Sequence, residues 1–114
     1  MSQSQTLELN VQEPYFSLIE TGQKTVEGRL GKDKYFSFKK GDKVVFNKSL
    51  KLEIKDLIKY KSFREMLMFE GLKNVLPEVQ TLEEGEQIYY QFYSKADEQK
   101  YGVVGICLSS KENK

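Results

Sequence analysis

The chain has 114 residues, 18 basic and 17 acidic side chains for a formal charge of +1, no histidine, no tryptophan and one cysteine. That is one domain's worth of sequence. The missing histidine excludes Ser-His-Asp and Cys-His catalysis and imidazole-held zinc or iron, and Cys107 alone can form neither an internal disulfide nor a thiolate metal site. Any proton transfer falls to Lys, Glu, Asp, Tyr or that one thiol.

Thr6 to Val11 alternates apolar and polar residues, which predicts a half-buried strand. Pro14 opens and Gly22 closes a short helix with Tyr15, Leu18 and Ile19 on one face. Alternation returns from Thr25 to Leu30, with Val26 and Leu30 on one face and Glu27 and Arg29 on the other. Gly31 to Gly41 reads as a Lys-rich loop holding a short strand at Tyr35–Phe38, and the Gly41-Asp42 turn leads into strands at Lys43–Asn47 and Leu50–Tyr60. Ser62 and Glu65 have capping-box spacing ahead of a helix with Phe63, Met66 and Leu67 on its apolar face, which Gly71 ends. Thr81 and Glu84 repeat the spacing before Leu82, Ile88, Tyr89, Phe92 and Tyr93, and Tyr101 to Leu108 closes the chain as a strand. The pattern is a single α+β domain over residues 1–114, with about five or six strands, three helices and polar tails at 1–5 and 109–114. Strands at both ends suit a closed or nearly closed sheet in which the first and last are neighbours. The polar start lacks the regions of a signal peptide, and no apolar run approaches the roughly 18 residues of a membrane helix, so a soluble, intracellular, cytoplasmic protein is the expectation.

The near-neutral total hides a segregation. Lys24 to Arg64 holds 13 bases against five acids, while both flanking segments are acidic. A centre this basic attracts phosphate backbones, although lysines also decorate solvated faces and strand edges. The densest polar constellation, Gly22-Gln23-Lys24-Thr25-Val26-Glu27-Gly28-Arg29, opens that centre where a helix hands over to a strand. Glu27 and Arg29 lie about 7 Å apart on one face. Gly28 permits close approach on the other, and Lys24 leans toward the same mouth. The competing reading is a surface ion pair with a solvated lysine. Glu70, three residues after Leu67 and four after Met66, continues an apolar helix face, so it is either a partly desolvated cleft carboxylate or a frayed helix end in water. Cys107 sits in an apolar strand and reads as a small buried hydrophobe.

The spacing G-x-K-x-x-E-x-R, supplied by Gly22, Lys24, Glu27 and Arg29, resembles the signature of ASCH domains, which are similar to the RNA-binding PUA domains. Tyr15-Phe16-x-Leu18-Ile19, Gly41-Asp42-x-Val44-Val45-Phe46, the run Tyr60 to Pro77, Ile88-Tyr89 through Phe92-Tyr93, and Gly102 to Ile106 extend the likeness over about Leu7 to Leu108. The resemblance implies a PUA-like β-barrel with a helix after its first strand. It further implies a cleft lined by Gly22, Lys24, Glu27, Arg29 and Glu70 for RNA or a nucleoside- or nucleotide-like ligand, with neither cofactor nor metal. In that binding reading Lys24 and Arg29 contact an anion or a base edge, Glu27 orients Arg29, and Tyr35, Phe36 and Phe38 are available to stack on bases.

One bacterial branch of the family hydrolyses the acetyl amide of N4-acetylcytidine with a lysine, a threonine and a glutamate. The resemblance then implies Lys24, Glu27 and Glu70 as the catalytic set, with Glu27 standing where that branch has threonine. A second carboxylate beside Lys24 favours the unreactive ammonium, which weighs against simple transfer of the activity. A branch linked to metal-dependent RNA cleavage has no residue match in this sequence. A plain interaction module docking a basic partner on the acidic C-terminal helix is the third reading.

Overall fold

The structure is a computed structural model, and it describes residues 4–109. The outermost residues of both polar tails lie outside that range. The alternating segments form five strands: β1 (Thr6–Leu9), β2 (Val26–Leu30), β3 (Lys43–Phe46), β4 (Leu50–Tyr60) and β5 (Val103–Leu108). Five α-helices accompany them: α1 (Tyr15–Glu20), α2 (Phe63–Glu70), α3 (Leu72–Val75), α4 (Leu82–Tyr90) and α5 (Lys95–Tyr101). Both expected capping sites are used, with Ser62 accepting from the Glu65 N–H and Thr81 forming a full capping box with Glu84.

The strands make one sheet in the order β1-β3-β4-β5-β2. β1 runs parallel to β3, and every other pairing is antiparallel. The 11-residue β4 curls the sheet: it pairs with β3 through its first half and with β5 through its second, with a register shift between Ile54 and Asp56. The outcome is a curled half-barrel with helices attached, the α+β, PUA-like architecture expected. β1 and β2 are its unpaired edges, so an open seam lies between them.

Three details differ from the sequence expectation. The first and last strands are not neighbours, because β3 and β4 lie between β1 and β5. The strand expected at Tyr35–Phe38 is a 3₁₀ turn over Asp33–Ser37, closed by Tyr35 N–H to Lys32 O and Phe38 N–H to Tyr35 O rather than by a partner strand. Five helices replace three. α3 follows the positive-φ Gly71, and α5 starts at Ser94, whose side chain accepts the Asp97 N–H at 3.0 Å.

Alternation along the strands divides the core in two. Leu7, Leu9, Val44, Phe46, Leu52, Ile54, Val104 and Ile106 meet Ile19 of α1 and Tyr35 on one side. Val26, Leu30 and Val103 meet Phe63, Met66 and Leu67 of α2 and Tyr89 of α4 on the other. Each large side chain buried this completely contributes about 1.5–3 kcal/mol before entropy is counted. Among the described residues no helix is long and apolar enough to cross a membrane.

Candidate ligand cavity at the open seam

The site begins with a turn. Gly22, at φ +86, closes α1, and the Lys24 N–H returns to Leu18 O at 2.9 Å while the Thr25 N–H reaches Asn74 O at 2.8 Å. The chain is thereby fixed on both sides just before β2, and the Lys24 side chain is driven inward until it is 2% exposed. Its ammonium donates to Val26 O at 2.8 Å and Val75 O at 2.6 Å and lies 3.5 Å from Glu27 Oε1. Glu27 Oε2 in turn accepts from Arg29 Nε at 2.7 Å. Arg29 Nη2 donates across the seam to Asn10 O at 2.8 Å. In place of the competing surface pair with a solvated lysine stands a buried relay, in which Lys24 has three groups for its three donors.

Electrostatics follow from that burial. Desolvation pushes the Lys24 ammonium below its ordinary value, helped by Arg29, while Glu27 and Glu78 pull it partly back. For Arg29, burial opposes the charge, but the Glu27 carboxylate outweighs it and holds the guanidinium above its usual range. Tyr15, Tyr89 and Tyr93 are all raised, chiefly by desolvation, so each keeps its hydroxyl proton at neutral pH.

A cavity of about 220 Å³ opens beside this relay. Lys24, Glu27, Gly28 and Arg29 form its polar side, Tyr15, Leu76, Ile88, Tyr89, Phe92 and Tyr93 its walls, and Asn10, Val11 and Gln12 its lip. Phe63 stacks on Tyr89 at 4.4 Å between centroids and on Tyr93 at 5.4 Å, which fixes the aromatic wall from behind. Gly28 leaves room for two side-chain ends: a Cβ there would come within 2.6 Å of Met66 Cε and 2.8 Å of Tyr89 Oη, and both would have to shift. The Tyr89 hydroxyl is buried and has no hydrogen-bond partner among the described residues.

The structure brings Lys24, Glu27 and Arg29 together at the cavity. Gly22 is exposed and acts through the turn it makes, without lining the space. Glu70, expected in the cleft, is not among the residues lining this cavity. Its carboxylate accepts the Tyr60 hydroxyl and lies 3.7 Å from Cys107 Sγ. Cys107 pairs with Val26 in the β2–β5 register, so Glu70 reaches the strand pair beside Cys107 and Tyr60 and not at the cavity. The apolar helix face was real, and Tyr60 satisfies the carboxylate there. Burial, reinforced by Glu70, pushes the Cys107 thiol up to about 12, which suits the inert role expected of it. Tyr35 is buried in the first core, Phe38 is half-buried against it and Phe36 is exposed; none of the three lines the cavity.

Sequence reasoning took Tyr15, Tyr89 and Tyr93 only as apolar helix faces. Their signal was chemical, since tyrosine on a buried stripe carries a polar tip that needs a partner. The Glu78 carboxylate, whose field reaches Lys24 and Tyr15, gave no signal in the sequence. Among the described residues no cluster of three Cys, Asp or Glu could hold a metal ion.

A model of the ASCH domain matches residues 9–112. The chain belongs to the ASCH domain family. Two solved structures share this ASCH fold. One is the crystal structure of hypothetical protein PH0355, 44% identical, with a TM-score of 0.88, covering 93% of this chain and 99% of its own. The other is the solution NMR structure of protein PF0455 from Pyrococcus furiosus, also 44% identical, with a TM-score of 0.79, covering 95% and 99%. No curated protein matches the chain.

Proposed function

We propose that this ASCH domain binds RNA or a nucleotide-like ligand by taking a single base into the cavity. The observation that carries the reading is the tyrosine-walled space with the partnerless Tyr89 hydroxyl beside it. At about 220 Å³ it is smaller than the roughly 300–1,000 Å³ of pockets that enclose drug-sized ligands, which suits one planar ring system better than a folded oligonucleotide. Tyr15, Phe92 and Tyr93 offer stacking faces, while Glu27 and the remaining Arg29 N–H groups offer polar contacts to base edges. An unsatisfied buried hydroxyl costs about 1–3 kcal/mol, and a ligand group bonded to Tyr89 removes that cost. Calorimetric titration with the four ribonucleosides tests the reading. Saturable binding is expected for at least one, weakened about tenfold in Tyr89→Phe and lost in Gly28→Ala, whose methyl group fills space at Tyr89. Absence of binding to every nucleoside at low salt rejects it.

A second reading, hydrolysis of a modified nucleoside such as N4-acetylcytidine, draws on one observation: burial moves Lys24 toward the reactive amine. Glu27 at 3.5 Å works against it by favouring the ammonium. With Glu70 bonded to Tyr60 and absent from the cavity lining, Glu78 is the further carboxylate acting on Lys24. Incubation with N4-acetylcytidine and chromatography for cytidine decides the point. Turnover that disappears in Lys24→Ala supports the reading; no turnover above buffer, or turnover that survives the substitution, ends it.

A further inference from the structure

The cavity has little cationic capacity to spare: Lys24 is ringed by two carbonyls and Glu27, and Arg29 is bound to Glu27 and Asn10. Lysines with no ion-pair partner among the described residues lie along a second concavity that shares no residue with it. This groove, about 650 Å³, runs where the end of β4 and the start of α2 meet the end of α5, and Lys59, Lys61, Lys100, Tyr60, Tyr101 and Glu65 line it. Lys59, Lys61 and Lys100 are exposed, and none makes an ion pair within the described residues, unlike Lys24, Lys39 and Lys43. One acid stands in the groove against three lysines, Glu65, whose Oε1 accepts the Lys61 backbone N–H at 2.7 Å.

Aromatic rings hold two of these cations, Lys59 and Lys100, in place. Lys100 Nζ lies 5.2 Å and Lys32 Nζ 5.3 Å from the Tyr101 ring centroid, and Lys59 Nζ lies 5.7 Å from that of Phe36, which is 40% exposed. Positive charge without ion-pair partners among the described residues, arrayed along an open groove with the exposed Phe36 ring beside Lys59, is the surface a single-stranded polynucleotide fits. Phosphates meet the ammonium groups, and an unpaired base stacks on Phe36. A duplex would bring phosphates alone, leaving Phe36 unused.

We propose that the Lys59–Lys61–Lys100 groove is a second site, which binds the sugar–phosphate backbone of single-stranded RNA independently of the cavity. The choice of RNA as partner rests on the reading of the cavity, whereas the groove's affinity for a polyanionic strand rests on its own lysines.

Fluorescence anisotropy with labelled oligouridylate, across roughly 50–200 mM salt, tests the proposal on three proteins. These are the wild type, Lys59→Gln/Lys61→Gln/Lys100→Gln, and a control carrying Lys43→Gln/Lys48→Gln/Lys51→Gln around the β3–β4 hairpin, each checked for folding by circular dichroism. Single-strand binding loses about 0.7 of log–log salt slope per neutralised phosphate, so the groove variant is expected to bind at least tenfold more weakly with a slope shallower by about 2. The control is expected to keep most of both. A groove variant with wild-type affinity and slope overturns the site, as does a control that falls equally far. Polyglutamate competing as well as RNA overturns the choice of nucleic acid. Nucleoside titration of the same proteins separates the two readings. Nucleosides bound with no RNA affinity leave the cavity standing and the groove refuted; RNA bound through the groove with no nucleoside affinity does the reverse.

Discussion

A lysine at 2% exposure persists in a folded chain only when its charge is answered, and Lys24 has Val26 O, Val75 O and Glu27 around it. Burial still lowers its pKa below the ordinary 10.5, so the unfolded chain holds that proton more tightly than the fold does. Between the folded value and 10.5 the unfolded state carries more protons, and stability therefore rises with pH through that window. The raised tyrosines have the opposite sign, but they act only above the ordinary tyrosine value of 10.0, where the unfolded chain ionises first. Urea unfolding from neutral pH to just below 10 is expected to show a steeper gain in stability for wild type than for Lys24→Met; equal slopes would show that burial does not depress this lysine. At neutral pH the substitution strips two carbonyls of their donor, at about 1–3 kcal/mol. The grouping of Lys24, Glu27 and Arg29 was legible because a glycine turn and a period of two suffice to place them. The place of Glu70 was not: helical spacing tells which side of α2 is apolar, and says nothing of the Tyr60 hydroxyl that engages the carboxylate there.

At the scale of elements, β1 and β3 are joined by more than their parallel ladder. Asp42, at the mouth of β3 and 1% exposed, accepts the Gln5 N–H at 3.0 Å and the Lys39 N–H at 2.9 Å, tying the entry of β1 to the turn before β3. Those two backbone bonds, from Gln5 first and then Lys39, hold its carboxyl below the ordinary 3.8. On acidification the unfolded chain takes up the proton first, so the stabilisation is intact above 3.8 and is lost as pH falls through the folded value. Asp42→Asn is expected to melt below wild type at neutral pH and to lose less on going from about pH 5 to pH 2; melting curves that fall in parallel reject the assignment. Strand limits and both capping sites could be read from the sequence because they depend on neighbours within four residues. The order β1-β3-β4-β5-β2 could not, since parallel pairing of β1 with β3 depends on contacts such as Gln5 to Asp42 that no local pattern encodes. α5 carried a readable Ser94–Asp97 cap, but a polar helix has little apolar period to mark it.

For the whole molecule, the open seam is the feature on which the site depends. A half-barrel with β1 and β2 as bare edges gains its cavity from being unclosed, and Arg29 is the side chain that spans the gap, held by Glu27 at one end and by Asn10 O at the other. Removing it has two consequences. Glu27 keeps only Lys24, at 3.5 Å, so a largely buried carboxylate loses its closer partner at about 3 kcal/mol. The β2 edge also loses its tie to the chain beyond β1. Arg29→Ala is therefore expected to lower stability and to speed amide hydrogen exchange in β2 and around Asn10 more than in β3, β4 and β5. Arg29→Lys keeps the charge but not the planar fork that reaches two acceptors at once, so it should recover part of the stability without the exchange protection at Asn10. Exchange that rises evenly over all five strands in Arg29→Ala would mean lost global stability, and Arg29 would then be a partner for Glu27 with no part in holding the seam.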